Sequence, residues 1–204
     1  MTTILQIDSS ILGASSASRA LKADTLARQI ELHPAATVIH RDFAAGPAFH
    51  LSGQHLAAFQ GGTPESTELG NDIAQCAAYV DDLFAADVIV IGGPMYNFTI
   101  PTQLKGWIDR VLVAGRTFCY TENGSEGLLP AGKKVYIVST RGGIYTGDSP
   151  AASYDFQKSY LKATLAFIGL TDVSIIRAEG LAISEEVKTS AFASAKAEIQ
   201  ALAD

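Results

Sequence analysis

The chain has 204 residues, 48% of them hydrophobic, with 15 Lys and Arg against 21 Asp and Glu, for a formal net charge of −6. This length and apolar content suit one folded domain over residues 1–204, and scattered basic residues with a negative balance exclude a nucleic-acid partner. The opening MTTILQIDSS lacks a basic stretch and a long apolar run, and no window reaches the length of a membrane span, so a cytoplasmic protein without a membrane partner is expected.

Residues 4–7 form the first of five branched, near-continuously apolar runs, the pattern of a strand buried on both faces. A serine-rich loop follows, and then Ala20, Ala23, Ala27 and Ile30 recur at helical spacing, which predicts a helix with that face toward the core. Residues 37–39 make the second run. Residues 43–65, rich in Gly, Pro and His, are too long for a plain connector and are expected to form a flap over a site or a partner contact. Leu69, Ile73, Cys76, Val80 and Leu83 mark the next helix, residues 88–91 the third strand, and Leu104, Ile108 and Val111 the helix after it. The insert at residues 117–132 is a second candidate flap. Residues 135–138 form the fourth strand, Phe156, Tyr160, Ala163 and Phe167 a helix, residues 173–176 the fifth strand, and Phe192, Ala195, Ile199 and Leu202 the last helix.

Strands alternating with helices along the whole chain imply an α/β fold with a five-stranded parallel sheet, helices on both faces and the flavodoxin-like order 2-1-3-4-5. A ligand then lies beyond the carboxyl ends of the strands, at the loops after strands 1, 3 and 4. The first of these, Asp8-Ser-Ser-Ile-Leu-Gly-Ala-Ser-Ser-Ala-Ser18, brings five serines and a glycine to a helix N-terminus, where hydroxyls and free N–H groups suit a phosphate. It has neither the GxxxxGK[ST] of a nucleoside-triphosphate loop nor the GxGxxG of a dinucleotide site, so a phosphomonoester is the better ligand. A serine at position 15, 16 or 18 would serve equally as a plain helix cap.

The loop after strand 3, Gly92-Gly-Pro-Met-Tyr-Asn-Phe-Thr-Ile-Pro-Thr-Gln-Leu-Lys105, offers the apolar surface of Met95, Tyr96 and Phe98 to a flat ligand, and the donor and acceptor of Asn97 to its polar edge. Met95 and Phe98 also suit core packing. After strand 4, Ser139-Thr-Arg-Gly-Gly-Ile-Tyr145 brings unshielded N–H groups near a ligand, with Arg141 either supporting negative charge or solvated. There is no GxSxG elbow, no HExxH, no CxxC and no paired-acid motif. No metal and no catalytic side chain are expected, the four histidines are surface or packing residues, Cys76 and Cys119 are free thiols, and a cofactor must carry the hard step, with Asn97 as a tuning candidate.

The stretches SSIL and SAS in the first loop, PMYNFTIPTQLKGWIDR, TFCYTENGSEGL, STRGG and FIGLTDV together resemble the FMN-dependent NADH azoreductases of bacteria, within the flavodoxin-like quinone reductase group. The resemblance implies FMN as cofactor, NADH or NADPH as donor, an azo or quinone acceptor and ping-pong transfer of two electrons. It implies phosphate contacts from Ser10, Ser16, Ala17 and Ser18, ring contacts from Met95, Tyr96, Asn97 and Phe98, and further contacts from Thr140, Arg141, Gly142 and Gly143. It also implies a homodimer with its two flavin sites at the interface and Tyr120 and Phe167 lining the acceptor pocket; in such a dimer Phe59 of the flap is expected to contribute to the partner's pocket. Cys119, where some similar enzymes have a basic residue, and residues 43–65 depart from the pattern, so neither the physiological acceptor nor the nicotinamide preference is assigned. The alternatives are a dedicated quinone reductase with incidental azo activity, a flavodoxin-type electron carrier, and a phosphodiesterase acting on a carrier protein. The last would lack metal ligands and a general base.

Overall fold

A computed structural model describes residues 1–203. In chain order the strands are β1 (Thr3–Asp8), β2 (Thr37–Asp42), β3 (Val88–Pro94), β4 (Phe118–Thr121), β5 (Gly124–Gly127), β6 (Lys134–Thr140) and β7 (Asp172–Ala178). The helices are α1 (Ala17–Leu32), α2 (Gly53–Phe59), α3 (Thr67–Ala85), α4 (Thr102–Val111), α5 (Phe156–Phe167) and α6 (Glu185–Gln200). The five branched runs pair in parallel in the order β2-β1-β3-β6-β7, which is the expected order once the separate β4-β5 hairpin is set aside. The register puts Asp8 level with both Asp42 and Gly92, and Thr140 level with Pro94 and Ala178, so the following loops leave from one edge of the sheet.

Alternate strand residues feed two apolar clusters, as the period-2 geometry of a strand requires. Leu5, Ile7, Ile89, Ile91, Val135 and Ile137 pack with Leu83 of α3, Leu104 and Trp107 of α4, and Leu161 and Leu165 of α5. Ile4, Val88, Val90, Tyr136, Val138 and Ile176 pack with Leu21 of α1 and with Ala195 and Ile199 of α6.

Two helices turn a different face inward from the one their apolar spacing predicts. In α1, Ala20, Ala23, Ala27 and Ile30 are exposed, while Ser18, Leu21, Lys22, Thr25 and Gln29 are buried. Alanine carries too little apolar surface to select a face, and Leu21 together with an ion pair from Lys22 to Asp8 selects the other one. In α5, Phe156 and Ala163 are exposed and Tyr160 and Phe167 half-buried, whereas Gln157, Leu161 and Leu165 face the sheet. Gln157 is tolerated inside because its amide donates to Gly93 O (3.0 Å) and accepts from Ser139 Oγ (2.6 Å).

Residues 43–65 are partly anchored. Phe43 is a core residue against Tyr79 and Trp107, with ring centroids at 5.1 and 6.2 Å. Further on, Arg110 donates to Phe49 O (2.6 Å), and Asp72 accepts from Phe49 N–H (3.2 Å) and meets His55 Nε2 at 3.0 Å. The insert at 117–132 holds the β4-β5 hairpin, which docks on the end of α5.

Candidate functional site

The loops leaving the carboxyl edge are stitched to one another. Ser9 Oγ donates to Gly92 O (2.7 Å), and the Tyr96 hydroxyl meets Ser10 Oγ at 3.2 Å and accepts from Ile11 N–H at 3.3 Å, joining the loop after β1 to the loop after β3. Met95 N–H donates to Thr140 O (2.8 Å), joining that loop to the end of β6. A cavity of about 540 Å³ opens beside the first loop, lined by Ser10, Ile11, Gly13, Ala14, Arg19, Asp42, Ala44 and Ala45.

In the first loop Ser16 is the N-cap of α1. Its hydroxyl accepts from Arg19 N–H (3.2 Å) and lies 3.0 Å from Ser18 Oγ, and both serines are buried. Capping therefore uses one serine. Ala20 N–H closes on Ser16 O, so Ala17 and Ser18 carry the first-turn N–H groups that have no helical acceptor. The cations beneath are each committed to a carboxylate. Lys22 Nζ lies 2.6 Å from Asp8 Oδ2, which also meets His40 Nε2 at 2.8 Å, and Arg19 donates to both oxygens of Asp42 at 2.8 Å. Burial holds the Lys22 ammonium below its usual range, and the Arg19 hydrogen bond holds the Asp42 carboxyl below its own. What remains for an anion is hydroxyls, N–H groups and the positive end of the helix dipole, which suits one phosphate.

The second loop is strained. Tyr96 and Thr99 exchange N–H···O bonds at 3.0 and 3.1 Å around a two-residue turn in which Asn97 has φ 48° and Phe98 φ 72°. Asn visits this left-handed region readily, whereas for Phe it costs about 1–2 kcal/mol. Strain of this kind persists where the surroundings over-determine it, which favours a functional loop. Met95 and Tyr96 are half-buried while Asn97 and Phe98 are exposed, so Phe98 is not a core residue.

In the third loop the structure decides the role left open for Arg141. Its guanidinium is neither solvated nor free to face a cofactor, because all five N–H donors are used: Nε on Ser139, Nη1 on Asp155 (2.8 Å) and Glu179 (3.0 Å), Nη2 on Asp155 (3.0 Å) and Gln157 (3.3 Å). Its backbone is tied as well, the N–H donating to Ala178 O (2.9 Å) and the carbonyl accepting from Leu181 N–H (3.1 Å), so Arg141 serves the loop by holding it in place. Gly142 and Gly143 accept through their carbonyls from Ala182 and Gly180, leaving their N–H groups uncommitted. A Cβ on Gly143 would stand 3.2 Å from the Tyr145 ring, so glycine is what allows that ring to lie over the loop.

Tyr120, Phe167 and Phe59 are not among these loops. Phe118 stacks on Tyr120 and Phe167 with centroids at 5.5 and 4.6 Å, making one aromatic group that includes the 77% exposed Tyr120. α5 is capped by Asp155, tied to Arg141 at the carboxyl edge, and its 12 residues run about 18 Å away to Phe167, just before the start of β7. Tyr120 and Phe167 thus stand at the opposite end of the same chain. Phe59 lines a separate apolar recess of about 230 Å³ with Ile73, Cys76, Ala77, Val80, Val113 and Arg116, where burial pushes the Cys76 thiol up to about 11.

Sequence reasoning placed Tyr145 in the loop after strand 4 without giving it a role, and did not find Tyr154, Asp155, Gln157 or Glu179 at this edge. Tyr145 follows the Gly-Gly pair directly and was legible as a loop aromatic; the others carry no local signal, since their partners are far away in the chain.

The sequence matches the protein family described as flavodoxin-like fold over residues 2–203. An FMN-dependent NADH:quinone oxidoreductase of Azospirillum brasilense is 47% identical over 98% of this chain and 97% of its own, and FMN-dependent NADH:quinone oxidoreductase 2 of Pseudomonas aeruginosa is 47% identical over 96% of each. Among solved structures, an FMN-dependent NADH-azoreductase from Bacillus anthracis in complex with FMN is 28% identical, with a TM-score of 0.87 and complete coverage of both chains. Sheet order, the three stitched loops and these matches agree: the chain belongs to the flavodoxin-like fold family, and within it stands beside the FMN-dependent NADH:quinone oxidoreductases.

Proposed function

We infer that the chain is an FMN-dependent NAD(P)H oxidoreductase that reduces quinones and azo compounds. The observation that carries the reading is the continuous path from the helix N-terminus of Ser16, Ala17 and Ser18, through the Ser10–Tyr96 contact, to the strained Asn97–Phe98 turn. It has the donors for one phosphate at one end and aromatic surface at the other, and no dinucleotide fingerprint between them. Quinones stand first because the relatives at 47% identity bear that name, while the azoreductase name belongs to a structure at 28%.

FMN, when bound, supplies the two-electron carrier between nicotinamide and acceptor. Ser10, Ser16, Ala17 and Ser18 hold its phosphate through hydroxyls and N–H groups. Met95, Tyr96, Asn97 and Phe98 receive the ring, the Asn97 amide serving its polar edge. Gly142 and Gly143 act through their uncommitted N–H groups, which stabilise negative charge without a side chain in the way, while Thr140 and Arg141 hold the loop in place. Replacing Ser16 and Ser18 together by Ala removes two hydroxyls at about 0.5–1.5 kcal/mol each, so FMN binding is expected to weaken by about 1–3 kcal/mol. Fluorescence titration of released FMN measures this, and unchanged affinity would return both serines to the helix alone.

Nicotinamide and acceptor must each lie about 3–3.5 Å from the same reacting atom, so one has to leave before the other enters. With NADH and a quinone both varied, parallel double-reciprocal lines are expected; intersecting lines would mean two separate sites and overturn the single-pocket reading. The placement of the acceptor-pocket candidates supports reading the protein as a homodimer. Tyr120 and Phe167 lie at the far end of their own chain from the three loops, so they line an acceptor pocket only as residues of a partner copy, as does Phe59.

A further inference from the structure

We propose that Tyr154 determines acceptor specificity, forming with Phe98 a two-ring shelf on which the second ring of a planar acceptor rests; the proposal builds on the quinone and azo reductase reading above. Phe98 touches two tyrosines from the loop after β6. Its ring centroid is 5.3 Å from that of Tyr154 at a tilt of 38°, and 6.2 Å from that of Tyr145, edge-on at 73°. Phe98 and Tyr154 are 46% and 51% exposed in the single chain, so two touching rings at the edge of the site leave half their surface uncovered by their own chain. Paired exposed aromatics beside a ligand loop are surface held open for a flat apolar partner.

The shelf is pre-organised from below. Arg141 pairs bidentately with Asp155, the residue after Tyr154, and Asp155 caps α5 by accepting from Lys158 N–H (3.0 Å). The same guanidinium meets Glu179, which also accepts from Tyr145 N–H (3.3 Å) and Thr146 Oγ1 (2.5 Å). One buried cation thus fixes the backbone beside both tyrosines that touch Phe98, and little backbone freedom remains to be lost when an acceptor stacks there. Arg141 is in this sense a positioning residue. Because Tyr154 lies one ring beyond Phe98, a single-ring acceptor over the Asn97–Phe98 turn does not reach it, whereas a fused two-ring quinone or an azo dye does.

The test compares native holoprotein with Tyr154→Ala, and with Tyr154→Phe as the conservative variant. Binding of 2-naphthol, a flat two-ring phenol, and of phenol itself is followed by perturbation of the flavin absorption band, and kcat/KM is measured for a naphthoquinone and for benzoquinone. Tyr154→Ala is expected to weaken 2-naphthol relative to phenol about three- to tenfold, with a matching fall in the naphthoquinone-to-benzoquinone ratio, and Tyr154→Phe to restore both. Equal changes for one-ring and two-ring ligands, or no change, would overturn the shelf. So would a Tyr154→Ala protein that becomes monomeric with its ligand ratio intact, since Tyr154 would then serve the subunit contact. A native protein that holds FMN yet turns over neither quinone would sink the functional reading, and the naphthol comparison would still decide the shelf.

Discussion

Arg141→Met is expected to destabilise the protein by about 3–5 kcal/mol, the usual cost of removing one partner from a buried ion pair. The guanidinium is fully buried, and its carboxylate partners Asp155 and Glu179 have side chains only 10% and 11% exposed, so solvent does little to replace it. Methionine matches the volume but leaves two like charges facing each other, with Ser139 and Gln157 losing a donor as well. Urea unfolding measures the loss. The triple variant Arg141→Met, Asp155→Asn, Glu179→Gln is expected to regain part of it, because it removes the uncompensated charges. A loss below about 1 kcal/mol in the single variant would mean that the carboxylates swing out to water and that the network is not a fixed support.

Gly127→Ala is expected to dislodge the β4-β5 hairpin. A Cβ at position 127 would stand 2.2 Å from Gly169 N, 2.4 Å from Ile168 C and 2.6 Å from Gly169 Cα, all of them backbone atoms with no rotamer to turn aside. The neighbouring turn is held by Gly169 N–H to Ala166 O (3.0 Å) and Leu170 N–H to Leu165 O (2.9 Å), so giving way would break the end of α5. The hairpin must therefore lift from α5, breaking the Leu129 N–H to Ile168 O bond (3.2 Å) and the Phe118–Phe167 stacking at 4.6 Å. Overpacking on side chains costs about 1–3 kcal/mol, and against backbone the upper end is expected. Since Tyr120 rides on this hairpin, the variant is also expected to shift the proposed dimer toward monomer and to raise the acceptor KM more than the NADH KM. Sedimentation and steady-state kinetics check both. A fully dimeric variant with native acceptor kinetics would remove the hairpin from the proposed interface.

The two variants probe contacts of different legibility. Ser16 and Ser18 at a helix start, Met95 to Phe98 after a buried strand and the Gly142–Gly143 pair were readable because hydroxyls before a helix and glycines after a strand have local physical meanings. Arg141 was ambiguous, because its fate rests on Asp155 and Glu179, 14 and 38 positions away. The hairpin was read only as an insert, because Gly127 is explained by a helix end some forty positions on.

What the amino-acid sequence determined by itself is the set of five parallel strands, their order and the three loops at the carboxyl edge, since branched apolar runs, helical spacing and right-handed crossovers act through neighbours along the chain. Only the tertiary structure decided which faces of α1 and α5 turn inward, where the charge of Arg141 goes, that Tyr154 meets Phe98, and that Tyr120 and Phe167 lie far from the loops of their own chain. The reason is that a buried Lys22 or Gln157 looks like a solvent-facing residue until Asp8 or Gly93 arrives across the fold to satisfy it, and no period in the sequence records that pairing.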